Sequence, residues 1–298
     1  MQITNHANLP EPIVQAVRND PYDAGPSDIS VTKLIGPPQI RVLERQHADE
    51  LTEDASDRIW SLVGQIGHKI LERAEMEALA ETRLFADVAG WTVSGQFDRM
   101  VILPDGTLQD YKFTSVWAVA DGVKPEWEAQ LNVLRWLAAE NGYPPIRQLQ
   151  IVAILRDWSR GKAKQGGDYP QQQVRVLPVP VWSLEDAARY VRERVHLHQE
   201  AERCAAAGEP LPQCTPEERW ARPTKYAVRK PGRKSAVRVL DTEQDARDIA
   251  AGTPSGYVEI RHGESVRCAD YCAVADYCAQ RRAELAAREP ASAAEQAA

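Results

Sequence analysis

A mixed α/β fold is predicted for this 298-residue chain by three stretches. Ile59, Leu62, Val63, Ile66, Ile70 and Ala74 recur at helical spacing within residues 53–80. Two apolar-rich runs flank Pro104-Asp105-Gly106, which reads as the turn of a β-hairpin. Residues 149–155 form a continuous apolar run suited to a buried strand.

The other elements follow in order. Residues 1–27 are polar and Pro-rich without a period, and are expected to be a flexible segment. Residues 29–41, with Ser30-Val31-Thr32 and Pro37-Pro38, read as a strand or turn leading into the first helix. After the hairpin, residues 126–140 read as a helix. Trp127, Leu131, Leu134 and Ala138 are spaced for burial there, and Gln130 begins the next row. Residues 160–172, rich in Gly, Lys and Gln, are expected to be a loop. Residues 174–181 read as a strand and 184–207 as a helix. A smaller module follows: a hairpin of 226–229 and 236–240 around Pro231-Gly232, a capped helix over 242–251, and a strand over 257–260. The chain thus divides into a core at 28–207, a basic, cysteine-containing module at 208–282, and an Ala/Glu-rich tail at 283–298, expected to be disordered or a frayed helix.

The hairpin carries charge of a particular kind. With a three-residue turn, Leu103 faces Thr107 and Asp98 falls opposite Lys112. Asp110 then lies one diagonal step away on the same face. Two carboxylates so close repel unless a cation sits between them. A hard, oxygen-preferring ion such as Mg²⁺ suits that place. The plain alternative is a surface hairpin with solvated charges. His68 and Glu72, four residues apart, share a helix face away from the apolar stripe, and Gly64 and Gly67 leave room beside them. His68 offers a metal a neutral nitrogen, or is simply an exposed or core-satisfied histidine. Gln130 points toward the carboxylates, or is a solvated amide.

Five cysteines are present. Cys268, Cys272 and Cys278 form a compact cluster, and Cys214 lies upstream. Cys204 falls in an Ala-rich helix as a packed small residue. Three clustered thiols and one distant thiol suggest a four-ligand metal site rather than disulfides, with unligated cysteines as the alternative. Zn²⁺ and an iron–sulfur cluster both accept four thiolates.

In the order Gly67-His68-x-x-Leu71-Glu72, Gly95-x-x-Asp98, Asp110-Tyr111-Lys112 and Gln130-Leu131-x-x-Leu134, residues 28–160 resemble the RecB-type branch of the PD-(D/E)xK nucleases. The resemblance implies a restriction-endonuclease-like core, a twisted mixed sheet flanked by helices. It implies Mg²⁺ or Mn²⁺ on His68, Asp98 and Asp110, with Lys112 assisting the attacking water and Gln130 positioning groups around it. Leu134 stands where the family often has Tyr. The cysteine group resembles that of iron–sulfur-bearing RecB-type nucleases, which favours [4Fe–4S] with Zn²⁺ as the alternative. The implied activity is a metal-dependent deoxyribonuclease, an exonuclease working at DNA ends. The setting implied is phage or prophage recombination or repair, beside a single-strand annealing or recombinase protein. Alternatives are a structure-selective endonuclease or junction resolvase, a non-cleaving DNA-end-binding module, and a purely structural iron–sulfur or zinc protein.

The net charge of −7 argues against a generic nucleic-acid coat, but the charge is uneven. Arg219, Arg222, Lys225, Arg229, Lys230, Arg233, Lys234 and Arg238 occur with no Asp or Glu between them, and Trp220 and Tyr226 interleave. Such a strip tracks a phosphate backbone and stacks a base, or is a solvated face. Residues 160–172 are a second candidate to lie near DNA. No run of about 18 apolar residues marks a membrane span. The absence of a basic-then-apolar leader gives a cytoplasmic expectation.

Overall fold

A computed structural model describes residues 2–20, 25–73, 79–102 and 106–295. The expected Pro104-Asp105 turn lies outside them. The chain forms two compact units. One is Met1–Arg41 with Ala48–Pro210; the other is Val42–His47 with Leu211–Ala298.

The elements up to the first long helix are β1 (Gln2–Thr4), α1 (Glu11–Arg18), β2 (Ile29–Ser30), α2 (Val31–Leu34), α3 (Pro38–Gln46), β3 (Thr52–Asp54) and α4 (Ile59–Glu72). The expectation of a flexible segment over 1–27 is corrected for residues 2–20. There β1 pairs in parallel with β3, and α1 buries Val14 and Val17 beside Ala55. Val14 and Val17 lie about one helical turn apart, a signal that a stretch of eight residues carries only once. The long helix is also shorter than expected from residues 53–80. Asp54 caps a 3₁₀ turn by accepting the Ser56 backbone N–H at 3.1 Å, and α4 starts only at Ile59.

Then come β4 (Leu79–Val88), β5 (Trp91–Val101), β6 (Thr107–Thr114), α5 (Pro125–Glu140), β7 (Gln148–Leu155), α6 (Arg160–Gln165), β8 (Val174–Val179) and α7 (Leu184–Ala207). They build a mixed six-stranded sheet in the order β2-β5-β6-β7-β8, with β4 on the other edge of β5. β2 with β5 and β6 with β7 are parallel; the remaining pairs are antiparallel. The apolar run at 149–155 is an inner strand, burying Leu149, Ile151, Ala153 and Leu155. α5 lays Leu131, Leu134 and Leu137 on the sheet. Gly95 makes that approach close: a Cβ there would come within 2.8 Å of Leu134, Leu137 and Val31 side chains. Asn132 is buried yet satisfied, donating to the Glu128 and Pro180 carbonyls at 2.9 Å and accepting the Trp182 N–H at 2.8 Å. Part of the expected loop at 160–172 is helical, as α6.

The second unit contains β9 (Ala221–Arg222), β10 (Lys225–Arg229), β11 (Arg238–Leu240), α8 (Glu243–Ala251), β12 (Tyr257–Arg261), β13 (Glu264–Ser265) and α9 (Ala279–Glu295). β10 lies between β11 and β12, and Val228 packs with Ala246 and Ala250 of α8. Thr242 caps α8 by accepting the Asp245 N–H at 3.2 Å. Of the two expectations for the tail, disorder or a frayed helix, the structure has a helix, through Glu295. Ala-rich sequence has high helix propensity, which explains the helix.

Candidate functional site

β5 and β6 pair only over Arg99↔Gln109, Met100↔Leu108 and Val101↔Thr107. Val101, not Leu103, therefore faces Thr107. The expected register, with Asp98 opposite Lys112, is corrected by two residues, because the connection is longer than the three-residue turn assumed. Beyond Arg99 the ladder stops. Asp98 Oδ2 accepts the Tyr111 backbone N–H at 2.6 Å, so a carboxylate does what a strand carbonyl would otherwise do. The strands part there, and a cleft of about 780 Å³ opens.

His68, Asp98, Asp110, Lys112 and Gln130 all line that cleft. His68 Nδ1 stands 3.4 Å from Asp98 Oδ1. Lys112 Nζ lies 2.7 Å from Asp110 Oδ2 and donates to Gln130 Oε1 at 3.2 Å. Gln130 Nε2 donates to Asp110 Oδ1 at 3.1 Å, closing a three-residue ring. Asp110 is buried, and its Oδ2 has no well-directed hydrogen bond despite the nearby ammonium. Burial is the main cause that raises its pKa to about 6; Lys112 opposes the shift and Asp98 adds to it.

Each side chain is placed by its element. Residues 98, 110 and 112 share one sheet face by the two-residue period of strands. Gly67 lets α4 approach β6: a Cβ there would fall 1.9 Å from the Phe113 ring. That contact brings His68 to the sheet. Gly64, by contrast, has open space around it. The face of α4 with Ser61, Gly64, Gln65, His68 and Glu72 turns toward the cleft. The apolar stripe did not predict burial, since no α4 residue is buried and Ile66 and Ile70 are 52% and 58% exposed.

The sequence reading missed Arg83, Ser94 and Gln96 in the cleft wall. Arg83 donates to Gln96 Oε1 at 2.9 Å and Ser94 Oγ at 3.4 Å. The alternation of Ser94, Gln96 and Asp98 along β5 was the available signal.

In the second unit, Cys214 and Cys278 are buried and Cys268 and Cys272 half-buried. Burial chiefly, then Glu218 and the other three thiols, pushes the Cys214 thiol up to about 12. Cys268 and Cys272 are raised too, first by burial. Gln280 clasps Cys214, accepting its N–H at 2.9 Å and donating to its carbonyl at 3.0 Å. Cys204 is separate, buried on α7. Among the described residues, no three His, Cys, Asp or Glu side chains are arranged to hold a metal ion.

The basic strip is not one surface. Lys225 pairs with Asp241, Arg229 with Glu259 at 3.4 Å, and Arg219 with Glu284 at 3.7 Å. Arg222, Arg233 and Lys234 are exposed, while Lys230 is half-buried. The neutralising acids come from outside the run, so its sequence uniformity overstated its charge. Arg267 lies over the Trp220 ring at 4.3 Å, and Tyr271 meets that ring edge-on at 5.4 Å.

No protein-family model matches this chain, and no curated protein matches it. Among solved structures it is similar to one described as "Crystal structure of SSO0001". The two share 15% identity, with a TM-score of 0.42, over 62% of this chain and 84% of that one. At that level the likeness says nothing about what this chain does. No described helix is long and apolar enough to cross a membrane.

Proposed function

We propose that this protein is a divalent-metal-dependent deoxyribonuclease, an exonuclease that hydrolyses phosphodiester bonds at DNA ends. The observation that carries this reading is the convergence of His68, Asp98, Asp110, Lys112 and Gln130 where β5 and β6 part. The donor types, two carboxylates and an imidazole, suit a hard divalent ion such as Mg²⁺ or Mn²⁺, and one buried carboxylate oxygen lacks a directed hydrogen bond, although the three side chains are not gathered into a metal-holding arrangement. His68, Asp98 and Asp110 would hold the ion. Bound there, it would supply an acidified water and neutralise phosphate charge. Lys112 steadies the charge that develops on the phosphoryl oxygens, an electrostatic role suited to an ammonium held 2.7 Å from the Asp110 carboxylate. Gln130, bonded to both Lys112 and Asp110, fixes the angle between them.

Cys214, Cys268, Cys272 and Cys278 are read as holding a [4Fe–4S] cluster or Zn²⁺ that stabilises the second unit. The spacing of the four cysteines in the sequence and their presence together in the second unit support this. DNA is the partner, with Arg222, Arg233 and Lys234 the exposed contacts in the second unit. A strand-annealing or recombinase protein in phage or prophage recombination, in the cytoplasm, completes the reading.

The test is end-labelled linear duplex DNA with Mg²⁺, Mn²⁺ or Ca²⁺, beside a closed plasmid circle. Label release with Mg²⁺ or Mn²⁺ but not Ca²⁺, and an intact circle, are expected. Cleavage of the circle would replace the exonuclease with the endonuclease or resolvase reading. End-binding without hydrolysis in any metal would leave a non-cleaving module.

A further inference from the structure

Two tryptophans of the first unit are exposed where apolar rings are costly to leave in water. Trp117 is 80% exposed, in the 3₁₀ turn that directly follows β6. Trp60 is 53% exposed, next in the chain to Ser61 of the cleft wall. A chain of contacts ties them together. The Arg156 guanidinium lies over the Trp60 ring at 4.0 Å. The Arg156 N–H donates to the Thr114 carbonyl at 2.9 Å. Next to it, Asp157 Oδ1 accepts the Val116 N–H at 2.7 Å, immediately before Trp117. Ser115 caps the turn by accepting the Ala118 N–H at 3.3 Å. Both rings are thus fixed to the end of the strand that carries Asp110 and Lys112.

The segment that carries Arg156 is positively charged. Residues 156–168 carry Arg156, Arg160, Lys162 and Lys164 against Asp157 and Asp168, four minus two, or +2. All four cations are exposed. Exposed rings tied to a cation-rich segment suit unpaired bases joined by phosphates. Duplex DNA hides its base faces except at its ends. A protein partner would use the apolar surface but has no need of the cations.

We propose that Trp117, Trp60 and Arg156, with the basic α6, form a stacking platform for single-stranded nucleic acid beside the carboxylate cleft. The inference deepens the nuclease reading by making an unpaired strand the form in which substrate meets the site.

The test measures binding of a labelled oligo(dT) of about 20 nucleotides by anisotropy, with EDTA present so that nothing is cut. Full-length protein, Trp117→Ala, Trp60→Ala and Lys162→Ala/Lys164→Ala are compared, with circular dichroism to verify folding. Each tryptophan variant should bind roughly tenfold more weakly. The lysine pair should flatten the salt dependence by about 1.4 in log–log slope. A blunt duplex should lose less than about twofold, since it presents few base faces. Unchanged oligo(dT) affinity in folded Trp117→Ala would overturn the proposal, as would an equal loss for the blunt duplex. A Trp117→Ala change confined to self-association, with oligo(dT) binding intact, would assign the patch to a protein contact instead. The two readings fail separately. Weakened binding without any cleavage by the parent protein removes the nuclease. Cleavage with unaltered binding in the variants removes the platform.

Discussion

The Tyr111 backbone N–H is bound by the Asp98 side chain at 2.6 Å, at the point where β5 and β6 cease to pair. Asp98 thus has two duties, one in the backbone ladder and one toward His68. The duties separate on mutation. Asp98→Asn keeps an acceptor for Tyr111, so the fold should survive while DNA cleavage falls at least about a thousandfold, on the order of 4 kcal/mol of transition-state stabilisation. Asp98→Ala should also lower stability by about 1–3 kcal/mol, because the Tyr111 N–H loses its partner. Denaturant melts beside cleavage rates check this. Equal melts for the two variants would contradict the structural duty.

Asp110 makes the site pH-sensitive. Its pKa stands at about 6, above the ordinary 3.8, chiefly through burial. The folded state therefore holds the proton more tightly than the unfolded chain, and folding stability without a cation should fall as pH rises from about 4 to about 6. Metal affinity should run oppositely, because the proton competes with the ion for the carboxylate. Calorimetric titration with Mn²⁺ should show roughly tenfold weaker binding at about pH 5 than at about pH 7. In Asp110→Asn the stability slope over that window should flatten.

The glycines of the site differ in what surrounds them. Gly95→Ala drives a methyl group within 2.8 Å of the Leu134, Leu137 and Val31 side chains. It should cost about 1–3 kcal/mol, read as a shifted denaturation midpoint. Gly67→Ala meets the Phe113 ring at 1.9 Å and should move α4, lowering activity with it. Gly64→Ala meets nothing within 4 Å and should raise stability by about 0.5–1 kcal/mol through helix propensity. A Gly64 variant as damaging as the Gly67 one would refute this account of the α4 contact.

The four thiols should hold metal as one centre. Replacing Cys214, Cys268, Cys272 or Cys278 with Ser should deplete iron or zinc from anaerobically purified protein and expose residues 211–295 to protease. Cys204→Ala should do neither. Gln280→Ala should weaken retention, since Gln280 fixes the Cys214 backbone at both ends. Elemental analysis decides, and unaltered metal content in all four serine variants would dismiss the centre.

What could be read in advance follows from how local the cause is. The helix at 184–207 was legible because its period, its Ser183 cap and its Gly208 stop are all nearby in sequence. The strand at 149–155 was legible from its unbroken apolar run. His68, Asp98, Asp110, Lys112 and Gln130 were legible as a set from short motifs in order. The hairpin register was not, because it depended on a connection length that no side chain announces. The neutralisation of Lys225, Arg229 and Arg219 was hidden for another reason: Asp241, Glu259 and Glu284 reach them through tertiary folding.

α4 carries His68 yet buries none of its residues, while α5, which brings Gln130 to the same cleft, buries eight. Little apolar surface would be uncovered if α4 lifted from β6, so that opening requires far less free energy than unfolding the sheet. Amide protons of α4 should therefore exchange with solvent deuterium well before those of α5. The imidazole then sits on the least protected helix of the cleft, and whatever bridges His68 to Asp98 and Asp110 would slow exchange across α4 as a unit.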